Sequence, residues 1–293
     1  MKKTGKKRVL VTGGSGFIGW NLIKNLCDYD VFYTGRLDEN FTEATYLGYE
    51  FSNLDLTNVK PDFLLHCAAI TDTLVQDREL MIKVNCNDSF DLFMKAFDAG
   101  CQKVIYASSC AVYGDTSAPF REEGPFKPLN VYGESKLMLD ERCSKISHPI
   151  VGLRYSNVYG FGERHKRHAK SMICQIINLI KDGKSPTLFK WGEQRRDFVY
   201  VQDVVQANLL AFDCKHSGVY NVGSGASTSF NEIVSIVNSV CKTNFVPNYI
   251  DNHISSSYQN LTQCSLEKIK AHIGYTPKWD INSGIKDYLR YIL

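Results

Sequence analysis

Tyr132 and Lys136 lie four residues apart in "NVYGESKLMLDERC", so a helix there would project both side chains from one face. A tyrosine hydroxyl titrates near ~10, too high for a base at neutral pH. An ammonium within a few ångströms favours the phenolate, which is what Lys136 would supply to Tyr132. Ser109 closes the apolar run "KVIYASS" and adds a hydroxyl able to hold the same substrate oxygen during proton transfer. The pattern Y-x-x-x-K is by itself common on amphipathic helices. It gains chemical meaning here from its order behind a serine turn and a glycine-rich loop.

That loop is "RVLVTGGSGFIGWNLIKNL": a β-branched run from Val9 to Thr12, glycines at 13, 14, 16 and 19, and a helical pattern from Phe17 to Leu26. The spacing of Gly13, Gly16 and Gly19 differs by one residue from G-x-G-x-x-G, and Gly14 supplies the extra turn position. Glycine lets the backbone approach a pyrophosphate, while the helix N-terminus offers N–H groups and a favourable dipole. Gly13, Ser15, Gly16, Phe17, Ile18 and Gly19 are therefore candidate dinucleotide contacts. A second strand, "DVFYTG", runs into Arg36, where an NAD enzyme usually carries Asp or Glu for the ribose 2′-hydroxyl. Arg36 either lies in solvent or meets a 2′-phosphate; the second alternative favours NADP as cofactor, with NAD still compatible. Asp55 in "FSNLDLTN" is placed to accept from an adenine amine. Leu56, Ala68, Ala69 and Asn85 complete the set expected around the dinucleotide, together with Tyr132 and Lys136.

"DFLLHCAA" and "KVIYASS" look like buried parallel strands, with a helix over residues 78 to 99 between them. Strands alternating with helices predict an α/β fold, a Rossmann-type doubly wound parallel sheet with a smaller interwoven C-terminal substrate-binding lobe. The expected division gives residues 1–157 and 203–224 to the dinucleotide-binding domain, and 158–202 and 225–293 to the second lobe.

Composition narrows the function classes. The chain has 293 residues, 22% of them charged, with a formal net charge of +3, so it is not built as a polyanion binder. The basic start "MKKTGKKR" is followed by glycines that interrupt any signal-peptide apolar core, and no stretch is long and apolar enough to span a bilayer. Ten cysteines are scattered singly without a C-x-x-C pair, which fits free thiols in a reducing cytoplasm. In "GERHKRHAK" cations crowd His165 and His168, which argues against a metal set, and the stretch lacks aromatic interleaving for nucleic acid. A phosphate- or sugar-facing loop fits it better. No metal, nucleic-acid or membrane partner is expected.

With "TGGSGFIG", "HCAA", "YASSCAVYG", "YGESK" and "RDFVYVQDV" in order, the sequence resembles an extended short-chain dehydrogenase/reductase of the group acting on nucleotide-diphosphate sugars. Through "PLNVYGESK", "IVGLRYSNVYG", "ERHK", "SPTLF" and "RRDFVYVQDV" it is most similar to the ADP-glycero-manno-heptose 6-epimerases. The resemblance implies Ser109, Tyr132 and Lys136 as the catalytic set and a sugar nucleotide bound by the C-terminal lobe. It assigns Asn157 to the substrate diphosphate or sugar and Arg196 to the diphosphate, with Arg195 in solvent. Leu188 and Phe189 either pack on the base or belong to the core, and Tyr258 also falls on the substrate side. It further implies a homodimer through helices 78–99 and 131–146. In the heptose epimerases a loop lysine is the second acid/base, and here it matches Lys166, which is either that group or part of an exposed basic loop. The sequence departs from the relatives at Arg167, in place of a glycine, at Ser257, in place of an arginine, and at Cys264, in place of an aspartate. The reading is thus an epimerase acting by transient oxidation. The alternatives are an NADPH-dependent reductase of a sugar nucleotide without a second base, and a non-catalytic dinucleotide sensor. Cys110 and Ala111 stand where a dehydratase would carry an acidic pair.

Overall fold

Strand formation at the amino end follows from a run of fully buried apolar residues, Val9, Leu10 and Val11, whose side chains alternate between two faces. The computed structural model describes residues 5–36, 41–72, 77–166, 169–252 and 259–292. Its first elements are β1 (Arg8–Thr12), α1 (Phe17–Lys24), β2 (Asp30–Tyr33), β3 (Ala44–Tyr46) and β4 (Phe63–His66). Next come α2 (Arg78–Ile82), a π-helical turn (Lys83–Asp88), α3 (Ser89–Asp98), β5 (Lys103–Ser109) and α4 (Val131–Cys143). β6 (Ile150–Tyr155), β7 (Asn157–Tyr159), α5 (Met172–Lys181), β8 (Thr187–Phe189), β9 (Arg195–Arg196) and β10 (Phe198–Tyr200) follow. The chain continues through α6 (Val201–Ala211), β11 (Gly218–Val222), β12 (Thr228–Ser229) and α7 (Phe230–Cys241) to β13 (Asn248–Ile250), α8 (Glu267–Ile273) and α9 (Ile281–Leu289).

Seven of these strands form one sheet in the order β3-β2-β1-β4-β5-β6-β11, with every pairing parallel. This is the doubly wound α/β sheet expected from the sequence. Strand order reverses between β1 and β4, and a crevice opens there at the carboxyl ends of the strands. The two faces carry separate cores. Val9, Val11, Leu65 and Ile105 pack with Trp20 and Leu22 of α1 and with Val204 and Ala207 of α6. Leu10, Leu64 and Val104 pack with Leu92 and Phe93 of α3 and Leu139 of α4. A third core joins Ile173, Ile176 and Ile177 of α5 to Ile233 and Val237 of α7 and Ile285 of α9.

Two local expectations are revised. The helix over 78 to 99 is broken by the π-helical turn, which contains Asn85. Residues Glu267–Ile273, assigned by the sequence to the substrate lobe, return to the sheet: Ile269 and Ile273 join the first core beside Tyr220 of β11. The sequence shows an amphipathic helix there but not which core receives its apolar face. The N-cap of α6 is Tyr200, and the buried Asp203 carboxylate in its first turn accepts the backbone N–H groups of Lys278 (2.8 Å) and Trp279 (3.1 Å).

Candidate active site

Gly13 leaves β1 with φ +69°, and a Cβ there would stand 2.8 Å from the Ala68 nitrogen beyond β4. A side chain is excluded both by conformation and by space, so the β1 and β4 turns come together at the crevice. The Gly13 carbonyl oxygen occupies the position of a Cβ on Gly19, which draws α1 tightly under the loop. Gly16 is the N-cap of α1, and no side chain caps that helix end. Ser15 is buried, and its Oγ accepts the Arg36 backbone N–H at 2.8 Å, clipping the end of β2 to the loop. Phe17 begins α1 within the first core, and Ile18 borders the cavity described below.

Across the crevice, a chain of buried hydrogen bonds fixes the carboxyl end of β4. Ser89 Oγ donates to the Val84 carbonyl (2.9 Å), so it accepts from His66 Nε2 (2.9 Å). His66 Nδ1 is then the acceptor for the Thr12 hydroxyl at 2.8 Å. Burial lowers the His66 pKa to about 3, assisted by the charge of Lys136, so the ring is neutral. His66 was absent from the sequence-derived site; "HCAA" carried the signal, but its partners come from distant segments. Asn85 acts in the same manner. Its Oδ1 accepts from Ile70 N–H (2.8 Å) and its Nδ2 donates to the Ile70 carbonyl (2.9 Å) and Ser135 Oγ (3.1 Å). Asn85 thus holds the loop after β4 against α4 and is turned away from the crevice.

Asn130 caps α4 by accepting from Gly133 N–H at 2.9 Å, which starts the helix one residue before Tyr132. A Cβ on Gly133 would stand 2.7 Å from the Ala111 carbonyl oxygen, so the missing side chain lets α4 touch the turn after Ser109. Ser109 faces the Tyr132 hydroxyl and acts to lower its pKa. Lys136 is 1% exposed; its Nζ donates to the Ala107 carbonyl at 2.8 Å and lies 5.9 Å from the Tyr132 ring centre. The expected lowering of the Tyr132 pKa by Lys136 is not what the structure gives. Burial raises the phenol above its ordinary value, and Ser109 opposes this. The lysine points at a carbonyl of β5, and burial lowers its own pKa to about 8 while Asp140 works the other way.

Beneath this group, Asp140 accepts from Tyr106 Oη (2.8 Å), Ser108 Oγ (3.0 Å) and Arg154 Nε (2.8 Å). Arg154 also donates to Tyr113 Oη (2.9 Å) and the Glu122 carbonyl (3.0 Å). Burial opposes the Arg154 charge, but Asp140 and Tyr113 together hold its pKa above the ordinary value.

Ser109, Tyr132 and Lys136 open onto a cavity of about 690 Å³, also lined by Ile18, Ala69, Asn157, Lys166, Leu188, Phe189 and Arg196. Among the described residues, the structure therefore gathers both catalytic and substrate-side candidates at one place. Asn157 Nδ2 donates to the Asp197 carbonyl (3.2 Å) and Thr262 Oγ1 (3.3 Å), while Arg196 Nη1 donates to the Arg195 carbonyl (3.0 Å). Arg195 keeps a partly exposed side chain, which pairs with Glu232 at 3.0 Å. Lys166 places its Nζ 5.1 Å from the centre of the Phe17 ring, and burial lowers its pKa with Glu163 opposing. Other candidates lie apart from the cavity. Asp55 is exposed, its Oδ1 accepting from Thr57 N–H (2.9 Å) and Oγ1 (2.7 Å). Leu56 is part of the second core. Tyr258 and the Arg167–His168 step fall outside the described residues. Missed by the sequence reading were Gln175 and Thr262, which border the cavity without belonging to any motif, while Lys170 borders it from the end of the basic stretch. Among the described residues, no group of His, Cys, Asp and Glu stands ready to hold a metal, and no helix is long and apolar enough to cross a membrane.

Residues 9–223 match the NAD dependent epimerase/dehydratase family. The chain is 33% identical to the ADP-L-glycero-D-manno-heptose-6-epimerase of Brachyspira hyodysenteriae, covering 96% of each protein. The crystal structure of the Helicobacter pylori ADP-L-glycero-D-manno-heptose-6-epimerase is similar at 38% identity and TM-score 0.89, covering 98% of this chain and 96% of that one. The UDP-N-acetylglucosamine 4-epimerase of Methanobrevibacter ruminantium, solved with UDP-N-acetylmuramic acid, is 26% identical with TM-score 0.91 over 98% of both chains. A parallel sheet with its glycine loop at the strand-order reversal, a Ser–Tyr–Lys group beside it and these matches along nearly the whole chain lead to one assignment: the chain belongs to the NAD dependent epimerase/dehydratase family, as an enzyme of the nucleotide-sugar epimerase type.

Proposed function

We propose that this enzyme inverts one carbon of a nucleotide-diphosphate sugar by transient oxidation, with Tyr132 as acid and base. The observation that carries the reading is the shared cavity, which joins Ser109, Tyr132 and Lys136 to Asn157 and Arg196. The crevice fits a nicotinamide dinucleotide: Gly13 through Gly16 form a cradle that a side chain would fill, and the uncapped start of α1 faces it with backbone N–H groups. When bound, that cofactor supplies reversible hydride acceptance at the reacting carbon. Tyr132 takes the sugar hydroxyl proton on the way to the transient carbonyl and returns it on the way back. Ser109 holds the same oxygen, and Lys136 supplies positive charge beneath the ring. Incubation with a panel of nucleotide sugars that includes ADP-glycero-manno-heptose is expected to give an epimer with no net cofactor turnover. Stoichiometric consumption of NADPH would instead establish the reductase.

That second reading draws support from Lys166, whose ammonium lies over Phe17 on the dinucleotide side of the cavity. In the proposed cycle Lys166 is the second acid/base, favoured by the burial that lowers its pKa. Lys166→Met is expected to cut epimer formation about 100-fold or more while single-turnover hydride transfer to the dinucleotide survives. Full epimerisation by this variant removes Lys166 from the chemistry.

Arg36 supports NADP as the preferred dinucleotide, because Ser15 fixes its backbone beside the glycine loop, where a 2′-phosphate would lie. Arg36→Ala is expected to weaken NADPH binding about 10-fold or more and to leave NADH within a few-fold, read by nicotinamide fluorescence titration. Equal losses for both would count against a 2′-phosphate contact. The reading also includes a homodimer formed through α2, α3 and α4, which pack on one another along one face of the sheet.

A further inference from the structure

The charge around the cavity is one-sided. Among the described residues that line it there is no Asp or Glu, whereas Lys136, Lys166, Lys170 and Arg196 all border it. Lys136 is held at the Ala107 carbonyl, and Lys166 lies against Phe17, the first residue of α1. Both therefore sit toward the dinucleotide. Lys170 comes immediately before α5, whose Ser171, Met172 and Gln175 border the same space.

The backbone at Lys170 is pinned on both sides. Its carbonyl accepts from Gln175 Nε2 at 2.9 Å, and the next residue, Ser171, gives its N–H and hydroxyl to Glu163 at 2.6 and 2.8 Å. Glu163 is buried, and it also accepts from Gly160 N–H at 3.0 Å, so the nearest carboxylate is committed to the loop backbone. Among the described residues, neither Lys166 nor Lys170 has an ion-pair partner. Ser171 is the N-cap of α5, so the positive end of a ten-residue helix adds to the lysine at this place. An apolar wall of Leu188, Phe189, Phe198, Phe230 and Ile250 completes this half of the cavity. A ligand matching these surfaces is planar and apolar at one end and carries two adjacent negative charges next to it, as a nucleoside diphosphate does.

Resting on the nucleotide-sugar reading above, we infer that Lys170 is a further substrate-binding residue that contacts the diphosphate together with Arg196. Lys166 is thereby left to the reacting sugar. The two lysines of one short basic loop divide the work: the first serves proton transfer, and the second anchors charge at the mouth of α5.

The test is calorimetric titration of the full chain, saturated with NADPH, with ADP, UDP, GDP and dTDP. Lys170→Met is expected to weaken the best-bound nucleoside diphosphate roughly 10- to 100-fold, and Lys170→Arg to stay within about fivefold of the parent. The loss should shrink as salt is raised, since the contact is electrostatic. Unchanged NADPH affinity in Lys170→Met shows that the site remains folded. Parent-like diphosphate binding by Lys170→Met overturns the inference while leaving the epimerase reading in place. A parent protein that binds none of the four diphosphates overturns both.

Discussion

Tyr132→Phe is expected to lower kcat about 1,000-fold while the protein keeps its fold and its dinucleotide affinity. The substitution removes one oxygen atom from a ring held between α4 and the serine turn, so packing is conserved. What disappears is the hydroxyl beside Ser109 and the proton it exchanges with the substrate. Burial raises the Tyr132 pKa and lowers that of Lys136 to about 8, so the neutral enzyme holds Tyr132 as the phenol, ready to donate to a carbonyl. Acting as a base, it must lose that proton while Lys136 keeps its own. Activity in the oxidative direction should therefore fall as Lys136 loses its charge above about pH 8, and the apparent values will belong to the coupled pair. Steady-state rates across pH, with epimer formation followed by NMR, check both points. Full activity in Tyr132→Phe would sink the assignment of the whole catalytic group.

Asp140→Asn should have the largest effect on stability, roughly 3 to 5 kcal/mol in denaturant unfolding. Asp140 and Arg154 are 4% and 2% exposed, and removing one charge strands the other where water cannot reach it. The same substitution reaches the chemistry. Asp140 lies one turn beyond Lys136 on α4 and raises the Lys136 pKa against burial. Without the carboxylate, Lys136 loses its proton at lower pH, so the alkaline limb of the rate profile moves toward neutrality. A variant within about 1 kcal/mol of the parent, with an unmoved limb, would reduce Asp140 to a spectator.

Much of the site was legible because its chemistry is local in the chain. Gly13, Gly16 and Gly19 fall within one strand–turn–helix unit, and Tyr132 and Lys136 within one helical turn. Their mutual positions follow from backbone geometry alone. Ser109 was legible as the end of a strand, and the structure brings it onto Tyr132 because Gly133 lets α4 approach the serine turn. Asn157 and Arg196 were placed by family resemblance, and both border the cavity.

What the sequence by itself determined is the set of periodic elements and the residue types at their ends: a parallel doubly wound sheet, a dinucleotide loop and a Tyr–Lys pair. Tertiary structure alone decided how charge is distributed among them. Asn85 reads as a cofactor contact until the loop after β4 folds back and takes both its polar atoms at Ile70. Lys136 reads as the cation that acidifies Tyr132 until the Ala107 carbonyl receives it and burial dominates the phenol. In "GERHKRHAK" the sequence shows only a cluster of bases. The fold turns Lys166 toward α1 and sets Lys170 at the start of α5, with Glu163 committed to the backbone of Gly160 and Ser171. Hydrogen bonding and desolvation depend on which distant segment closes over a side chain, and no spacing along the chain encodes that closure.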